Sequence, residues 1–290
     1  MKMRKFLTFV LVFFVIGFAS AQDDLLNQLD AEKSDVKEIE TSAFKGLQIC
    51  NMQSTKLAAK GEWYVLISHR FGDVNKGLDN FFGLDEAITK IGGIYGVTDW
   101  LSLGLSRHRN NKTYEFAAKY KFANQEVDGF PVAIVGYNTM DIRSDKFAVL
   151  YPDAKFNHRL AYSTQLLVSR KFSEKFSLEI APIWIHKNLY DGILDQKDLL
   201  LLGTGARYKI AKRMSVNLEY AARVNLPEGS TSTYHNPLSL GLDIETGGHV
   251  FQMVFSSSQP MNDVTAFSNS SGRWDGRKQF YFGFNMYRVF

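Results

Sequence analysis

The chain has little of what most other readings would require. Cysteine is nearly absent: Cys50 is alone among 290 residues, which excludes an intrachain disulfide, and no His or Cys stands near it at metal-ligand spacing. It also lies too far from the amino terminus to be a lipoprotein acylation site, so a small, partly buried residue in a strand is expected there. Long hydrophobic runs are missing too. The apolar run from Phe6 to Phe18 falls short of the ~20 residues that a membrane-spanning helix needs, and no later stretch comes close. Neither sign of charge dominates, with 34 Lys and Arg against 30 Asp and Glu, and the basic residues form no cluster on one face, which sets nucleic acid aside as a partner. No set of His, Cys or carboxylates has a recognised metal spacing, and nothing calls for a cofactor. Gly203-Thr204-Gly205 sits in mid-strand with no helix after it, so it is not a phosphate loop. Close packing or sheet curvature accounts better for those glycines.

What is present begins with a secretory signal: basic Lys2, Arg4 and Lys5, the apolar run, then Ala19-Ser20-Ala21 as a small-residue cleavage site. Residues 1–21 are therefore expected to be removed, leaving a mature chain that starts at Gln22. Residues 22–43 read as an acidic periplasmic leader, a short helix or a flexible segment, in which Asp23, Asp24, Asp30, Glu32, Asp35, Glu38 and Glu40 outnumber Lys33 and Lys37. An exported chain without a spanning helix is either periplasmic or a closed barrel, because an open sheet would leave unpaired backbone groups in lipid.

From Glu62 onward, apolar and polar residues alternate with the period of a two-faced sheet. The alternation predicts twelve strands, at 62–71, 88–97, 99–108, 112–122, 130–140, 158–171, 175–187, 198–210, 213–224, 236–245, 249–258 and 278–290. Most have the roughly 9 to 11 residues of a tilted transmembrane strand, where soluble strands average ~5 or 6. Their connections alternate between tight and long, apart from the short link near Asn110, as in outer-membrane barrels whose tight turns face the periplasm. Hairpin registers agree. With Gly247-Gly248 as a two-residue turn, Ile244 meets Phe251, Leu242 meets Met253 and Leu240 meets Phe255, while Asp243 meets Gln252. A three-residue turn at 211–213 sets Tyr208 against Val216 and Ala206 against Leu218. In the last strand Phe280, Phe282, Phe284, Met286 and Phe290 share a face opposite Tyr281, Gly283, Asn285 and Tyr287. An alternating strand that ends on an aromatic residue resembles the assembly signal of outer-membrane proteins, although Arg288 departs from that pattern.

His69-Arg70-Phe71-Gly72, Gly83-Leu84-Asp85, the stretch from Asp243 to Gln252 and the ending from Gly283 to Phe290 resemble a family of bacterial outer-membrane barrels, domain-of-unknown-function family 5777, over residues 44–290. The resemblance implies an all-β, antiparallel, up-and-down transmembrane barrel of a Gram-negative bacterium. Outer-membrane lipid and the outer-membrane assembly machinery are its expected partners. It implies no catalytic or ligand residues.

Chemistry is expected on the inward face. The lumen-lining candidates are Glu115, Lys119, Lys121, Glu179, Arg207, Lys209, Glu219, Arg223, Asp243 and Glu245, either as a selectivity-setting lining or as mutually neutralising ion pairs in a narrow barrel. His249 reads as an interfacial anchor. No Ser, His and acid are expected at neighbouring positions of one face, so an enzyme is not expected. Residues 44–58 are apolar enough to be ordered, yet would make a thirteenth strand where even numbers rule. They are either a lumenal plug, a periplasmic strand, or one of a pair with Val264 to Phe267, the last giving fourteen strands. Phe81 and Phe82, in a loop too apolar for water, are candidates for a constriction. The functional expectation is a restricted pore or transporter for a small solute; the alternative is a non-conducting structural or partner-binding barrel.

Overall fold

The computed structural model describes residues 38–192, 195–226, 232–273 and 279–290. The expected signal peptide and leader residues 22–37 lie outside the described residues. The strands are β1 (Trp63–Asp73), β2 (Ile88–Thr98), β3 (Leu101–His108), β4 (Thr113–Ala123), β5 (Ala133–Arg143), β6 (Leu160–Lys171), β7 (Phe176–Lys187), β8 (Asp198–Ala211), β9 (Met214–Arg223), β10 (Leu238–Thr246), β11 (His249–Ser256) and β12 (Tyr281–Val289). Each pairs antiparallel with its chain neighbours, and β1 pairs with β12, so the sheet closes into a twelve-strand barrel without an edge. Closure satisfies every ladder within the sheet, the condition that lipid imposes on a backbone. A fourteen-strand barrel does not form: residues 44–58 contain only an isolated bridge between Gln48 and Gln53, and residues 264–267 lie in a short helix, α1 (Asp263–Ser268).

The two faces follow the alternation in the sequence. Leu103, Leu105, Phe116, Ile180, Leu200, Leu202, Leu218 and Leu240 are exposed on the outer surface, while their strand neighbours point into the lumen and are mostly buried. On β12 the inward set is Tyr281, Gly283, Asn285 and Tyr287. Exposed aromatics gather at the short-turn end: Trp63, Trp100, Phe122, Phe172, Phe176, Tyr208 and Phe290. Such a girdle marks the border of a membrane-facing band. The β10–β11 hairpin turns at Gly247-Gly248, with Gly248 at φ +90°, and pairs Ile244 with Phe251, Leu242 with Met253, Asp243 with Gln252 and Leu240 with Phe255. β8 and β9 pair Tyr208 with Val216 and Ala206 with Leu218. Residues 38–40 and the carboxyl-terminal Phe290 lie at the short-turn end, where Glu40 N–H donates to Gln125 O and Val127 N–H donates to Glu38 O.

A twelve-strand barrel is wider than one that its own wall side chains can fill. Two further segments occupy it. Residues 43–58 enter from the short-turn end, and the β11–β12 connection, carrying α1, enters from the other. Phe44, Ile49 and Met52 of the first join Val264 and Phe267 of the second and Val135, Leu167, Ile183, Ile185, Leu199 and Leu201 of the wall in one buried apolar cluster.

Candidate functional site

The site is the filled lumen, and it is organised around the tip of the 43–58 plug. A tight turn is closed by Ile49 N–H to Met52 O at 2.8 Å and Ser54 N–H to Leu47 O at 3.0 Å. This leaves three consecutive N–H groups pointing outward. All three donate to Glu219 Oε2: Cys50 at 2.9 Å, Asn51 at 2.8 Å and Met52 at 2.8 Å. Hydrogen bonds to an ionised acceptor are the strong ones, and here they stand in for a cation beside a buried carboxylate. The exposed carbonyls of the tip are met as well. Ile49 O accepts from Gln252 Nε2 and Asn217 Nδ2, and Cys50 O accepts from Asn285 Nδ2. Asn51 donates to Ser239 and Ser256, and its Oδ1 accepts from Arg70 Nη2.

The rest of the plug follows the same rule, with carboxylates taking N–H groups and ammonium taking carbonyls. Thr55 N–H donates to Glu179 Oε2 at 3.1 Å. Lys119 Nζ donates to the carbonyls of Leu47, Ser54 and Lys56. Gly203 and Gly205 are the close approach expected of them: a Cβ on Gly205 would stand 2.2 Å from Ile49 Cδ1, and one on Gly203 2.9 Å from Met52 Cε. Cys50 lies in this buried tip rather than in a strand. Burial, and then the Glu219 and Asp243 carboxylates, push its thiol well above the ordinary value, so the residue is an inert part of the plug.

The second segment is seated in the same manner. Lys90 Nζ donates to Met261 O, Arg223 donates to Phe267 O and Ser268 O, and Asp263 N–H donates to Glu115 Oε2. Asn262 Nδ2 donates to Asp141. The two segments touch, because Asp263 accepts from Gln53 of the plug at 3.4 Å and from Gln165 of the wall at 2.8 Å.

Of the charges singled out in the sequence, Glu115, Lys119, Glu179, Arg207, Glu219 and Asp243 point inward and are buried. Arg223 is inward at the long-loop end. Glu245 lies at the short-turn end, 3.2 Å from Arg207 and 3.8 Å from Lys45. Lys121 and Lys209 are half-buried near that end and take no part in seating the plug. Phe81 and Phe82 do not narrow the lumen. They are 59% and 54% exposed in the loop after β1, at φ +39° and +54°. That loop is pinned back on its own strand by Gly83, whose Cβ would fall 2.3 Å from Gly72 O, and by the Lys76–Glu86 ion pair.

Sequence reasoning missed Arg70, Lys90, His108, Asp141 and Asp263, all buried. Their parity with Ser68, Gly92, Ser106 and Thr139 was the available signal for the four on strands. The same oversight hid a Ser, His and acid on one face, since Ser106, His108 and Glu115 are neighbours across β3 and β4. Ser106 and His108 are not paired with each other: Ser106 donates to Glu115 Oε1 at 3.1 Å, and His108 Nε2 accepts from Met261 N–H. Among the described residues no group of three or more His, Cys, Asp or Glu is placed to hold a metal ion.

Space remains on both sides of the plug. An outer vestibule of about 400 Å³ is bounded by Thr113, Asp141, Arg143, Lys187 and Asn262. A smaller cavity of about 40 Å³ lies between the plug and β2–β4. Pockets of about 330 and 190 Å³ open at the short-turn end.

A closed sheet, an apolar outer band, an aromatic girdle and a polar interior together define a membrane-bound β-barrel. The chain belongs to the family described as membrane bound beta barrel domain (DUF5777), whose model matches residues 44–290. Comparison with curated proteins found no match. Similar solved structures include the KdgM porin (10% identity, 78% of this chain and 99% of that chain, TM-score 0.48) and the NanC porin (9% identity, 78% and 98%, TM-score 0.47). An outer-membrane channel from Pseudomonas putida F1 is also similar (13% identity, 81% and 97%, TM-score 0.45).

Proposed function

We propose that the protein is a non-enzymatic outer-membrane barrel that acts as a restricted pore or transporter for a small solute, exported by a cleaved signal peptide at 1–21 with its short turns toward the periplasm. The observation that carries this reading is the polar wall behind the plug. Glu219, Asn217, Ser239, Gln252, Asn285 and Arg70 meet the plug through hydrogen bonds, each worth ~1 kcal/mol net between neutral groups and about 1.5–3 kcal/mol where Glu219 or Arg70 takes part. A polar lumen of this kind can be wetted around a plug that stays in place. The wall charges named above then act as the lining that a solute meets.

A second reading, a non-conducting structural barrel, draws support from the apolar cluster that joins β5–β9, the plug and α1. Conductance in planar bilayers separates the two. Full-length protein is expected to pass small currents, and deletion of residues 44–58 to raise them many-fold, with folding of both checked by heat-dependent gel mobility. If both proteins are folded and neither conducts, the pore reading is wrong and the structural one stands.

A further inference from the structure

The lumen is filled unevenly. The plug tip is fixed to the wall formed by β9–β12 and β1, through Glu219, Asn217, Gln252, Asn285 and Arg70. On the opposite side the inward positions of β2 and β3 include Gly92 and Gly104, and the cavity of about 40 Å³ lies against them. A Cβ on Gly104 would meet Ala117 Cβ at 3.4 Å, Ile94 Cγ1 at 3.5 Å and Gly93 O at 3.7 Å, ordinary contact distances, whereas one on Gly92 would fall 2.8 Å from Ser106 Cβ, so the room on this wall is at Gly104. The cavity shares Leu47, Lys56 and Tyr287 with the larger pocket at the short-turn end, and Leu57 and Ala58 with the smaller one. Toward the other end it reaches Lys90 and Glu115, which are bonded at 2.7 Å. Glu115 is paired across the sheet with Asp141, and Asp141 with Asn262 borders the outer vestibule. On the β2–β5 side the pocket of about 190 Å³, the cavity and the vestibule therefore follow one wall, interrupted at Lys90, Glu115, Asp141 and Asp263, while the larger short-turn pocket lies against β10–β12.

We propose that solute crosses along this β2–β5 wall while the plug tip stays seated on the opposite one, and that Glu115, Asp141 and Asp263 around Lys90 set the selectivity of the route. The inference rests on the pore reading above. Three acidic side chains face one ammonium there, of which Asp263 is held up to about 7 by burial and by Glu115. Lys119, the next cation along the wall, is taken up by three plug carbonyls. Asp141 is buried and its Oδ1 has no hydrogen-bond partner, which leaves an acceptor for a passing cation. The route thus favours small cationic or neutral polar solutes over anions, by the same logic as acidic rings in cation channels.

The test is single-channel recording of the full chain across a potassium chloride gradient. The reversal potential should show a preference for potassium over chloride, and Asp141→Asn, which keeps the shape of the side chain and its contact with Asn262, should reduce that preference several-fold. Gly104→Leu and Ala117→Leu, at paired inward positions, should each lower conductance several-fold. Gly93→Leu, on the outer face where a Cβ meets nothing within 4 Å, should not. Anion preference in the unmodified protein, or unchanged conductance when both filling variants are folded, would overturn the route. If neither the full chain nor the form lacking 44–58 conducts, the pore reading has failed and the route falls with it.

Discussion

Two parts of the wall carry the same outer face and opposite inner chemistry. Along β5–β8 the inward residues near the middle of the wall are Val135, Leu167, Ala181, Ile183, Ile185, Leu199 and Leu201, packed on Met52, Val264 and Phe267, with polar residues such as Asp141, Glu179 and Arg207 on either side. From β9 through β12 to β1 they include Asn217, Glu219, Ser239, Gln252, Asn285 and Arg70, which bond to the plug, and Asp243, which accepts from Gln252 and Ser215. Both parts present leucine and isoleucine outward. Lipid makes one demand everywhere, whereas the inner face is matched to whatever segment it meets. Phe267 and Met52 offer apolar area, and the turn at 49–52 offers bare backbone groups. Apolar contact is non-directional and has no substitute in water, while the hydrogen-bonded seat exchanges readily with solvent. The first side fixes the filling, and the second is where it can let go.

The largest effect should come from the apolar side. Phe267→Ala should lower the stability of the barrel by about 3–5 kcal/mol, the usual range for a fully buried Phe, measured by urea unfolding in lipid. Little change would mean that α1 is not part of the packed core. Next is the outer face, where Leu240→Arg should cost about 2–4 kcal/mol near the membrane midplane, with or without residues 44–58. Ser239→Arg sharpens the contrast. Ser239 is buried against Asn51, so arginine there should be poorly tolerated in the full chain and better tolerated once 44–58 is deleted. Equal behaviour of the two variants in both backgrounds would break the distinction between the faces.

On the polar side, Glu219→Ala strands three N–H donors. A stranded buried donor costs about 1–3 kcal/mol, but the plug tip can withdraw into water instead, so global unfolding should shift by no more than that of a single donor. The local consequence should be plainer. Cys50, slow toward maleimide in the parent because it is buried and its thiolate is disfavoured, should label much faster in Glu219→Ala. Glu219→Gln, which keeps one acceptor, should fall between them. A Cys50 that stays unreactive in Glu219→Ala would show that the tip is not held by Glu219.

The same contrast explains what the sequence reveals. Strand number, order and register were legible because the outer face is apolar on every strand. The two least accurate starts, Ala133 and Tyr281, are three residues later than the alternation suggests. The filling was less legible. β7 and β8 are apolar on both faces around Ile183, Ile185, Leu199 and Leu201, so that stretch carries no polar signature of a lumen, although Glu179 and Arg207 nearer the short-turn end do. Residues 44–58 have the apolar content of a strand; the even-number rule leaves a plug among three alternatives, and the groups that seat it, Glu219 among them, are remote in sequence. In the β11–β12 connection, Val264 to Phe267 read in one alternative as a strand partner of 44–58, whereas they lie in α1 with Val264 and Phe267 packed inside the barrel. Phe81 and Phe82 misled in the other direction, since the apolar content of a loop says nothing about a backbone pinned elsewhere by Gly83.

The smallest expected effect lies where the two segments meet. Asp263 accepts from Gln165 at 2.8 Å and from Gln53 at 3.4 Å. Burial, and then the Glu115 carboxylate, push it up to about 7, while Lys90 and Lys119 pull the other way. An acid whose folded-state value lies above its unfolded value of ~3.9 holds its proton longer in the folded chain. Its contribution to stability is then fully present at low pH, declines as pH rises from about 4 toward about 7, and is flat above that. Asp263→Asn replaces the protonated acid with a neutral group of the same shape and removes this titration, leaving Glu115 and Asp141 in place. The difference in urea midpoint between parent and variant should therefore favour the parent more at about pH 5 than at about pH 8, the window set by burial of a titrating carboxyl. An identical difference at both values would mean that Asp263 keeps one protonation state throughout, and that the meeting point of plug and loop is as insensitive to pH as the apolar side.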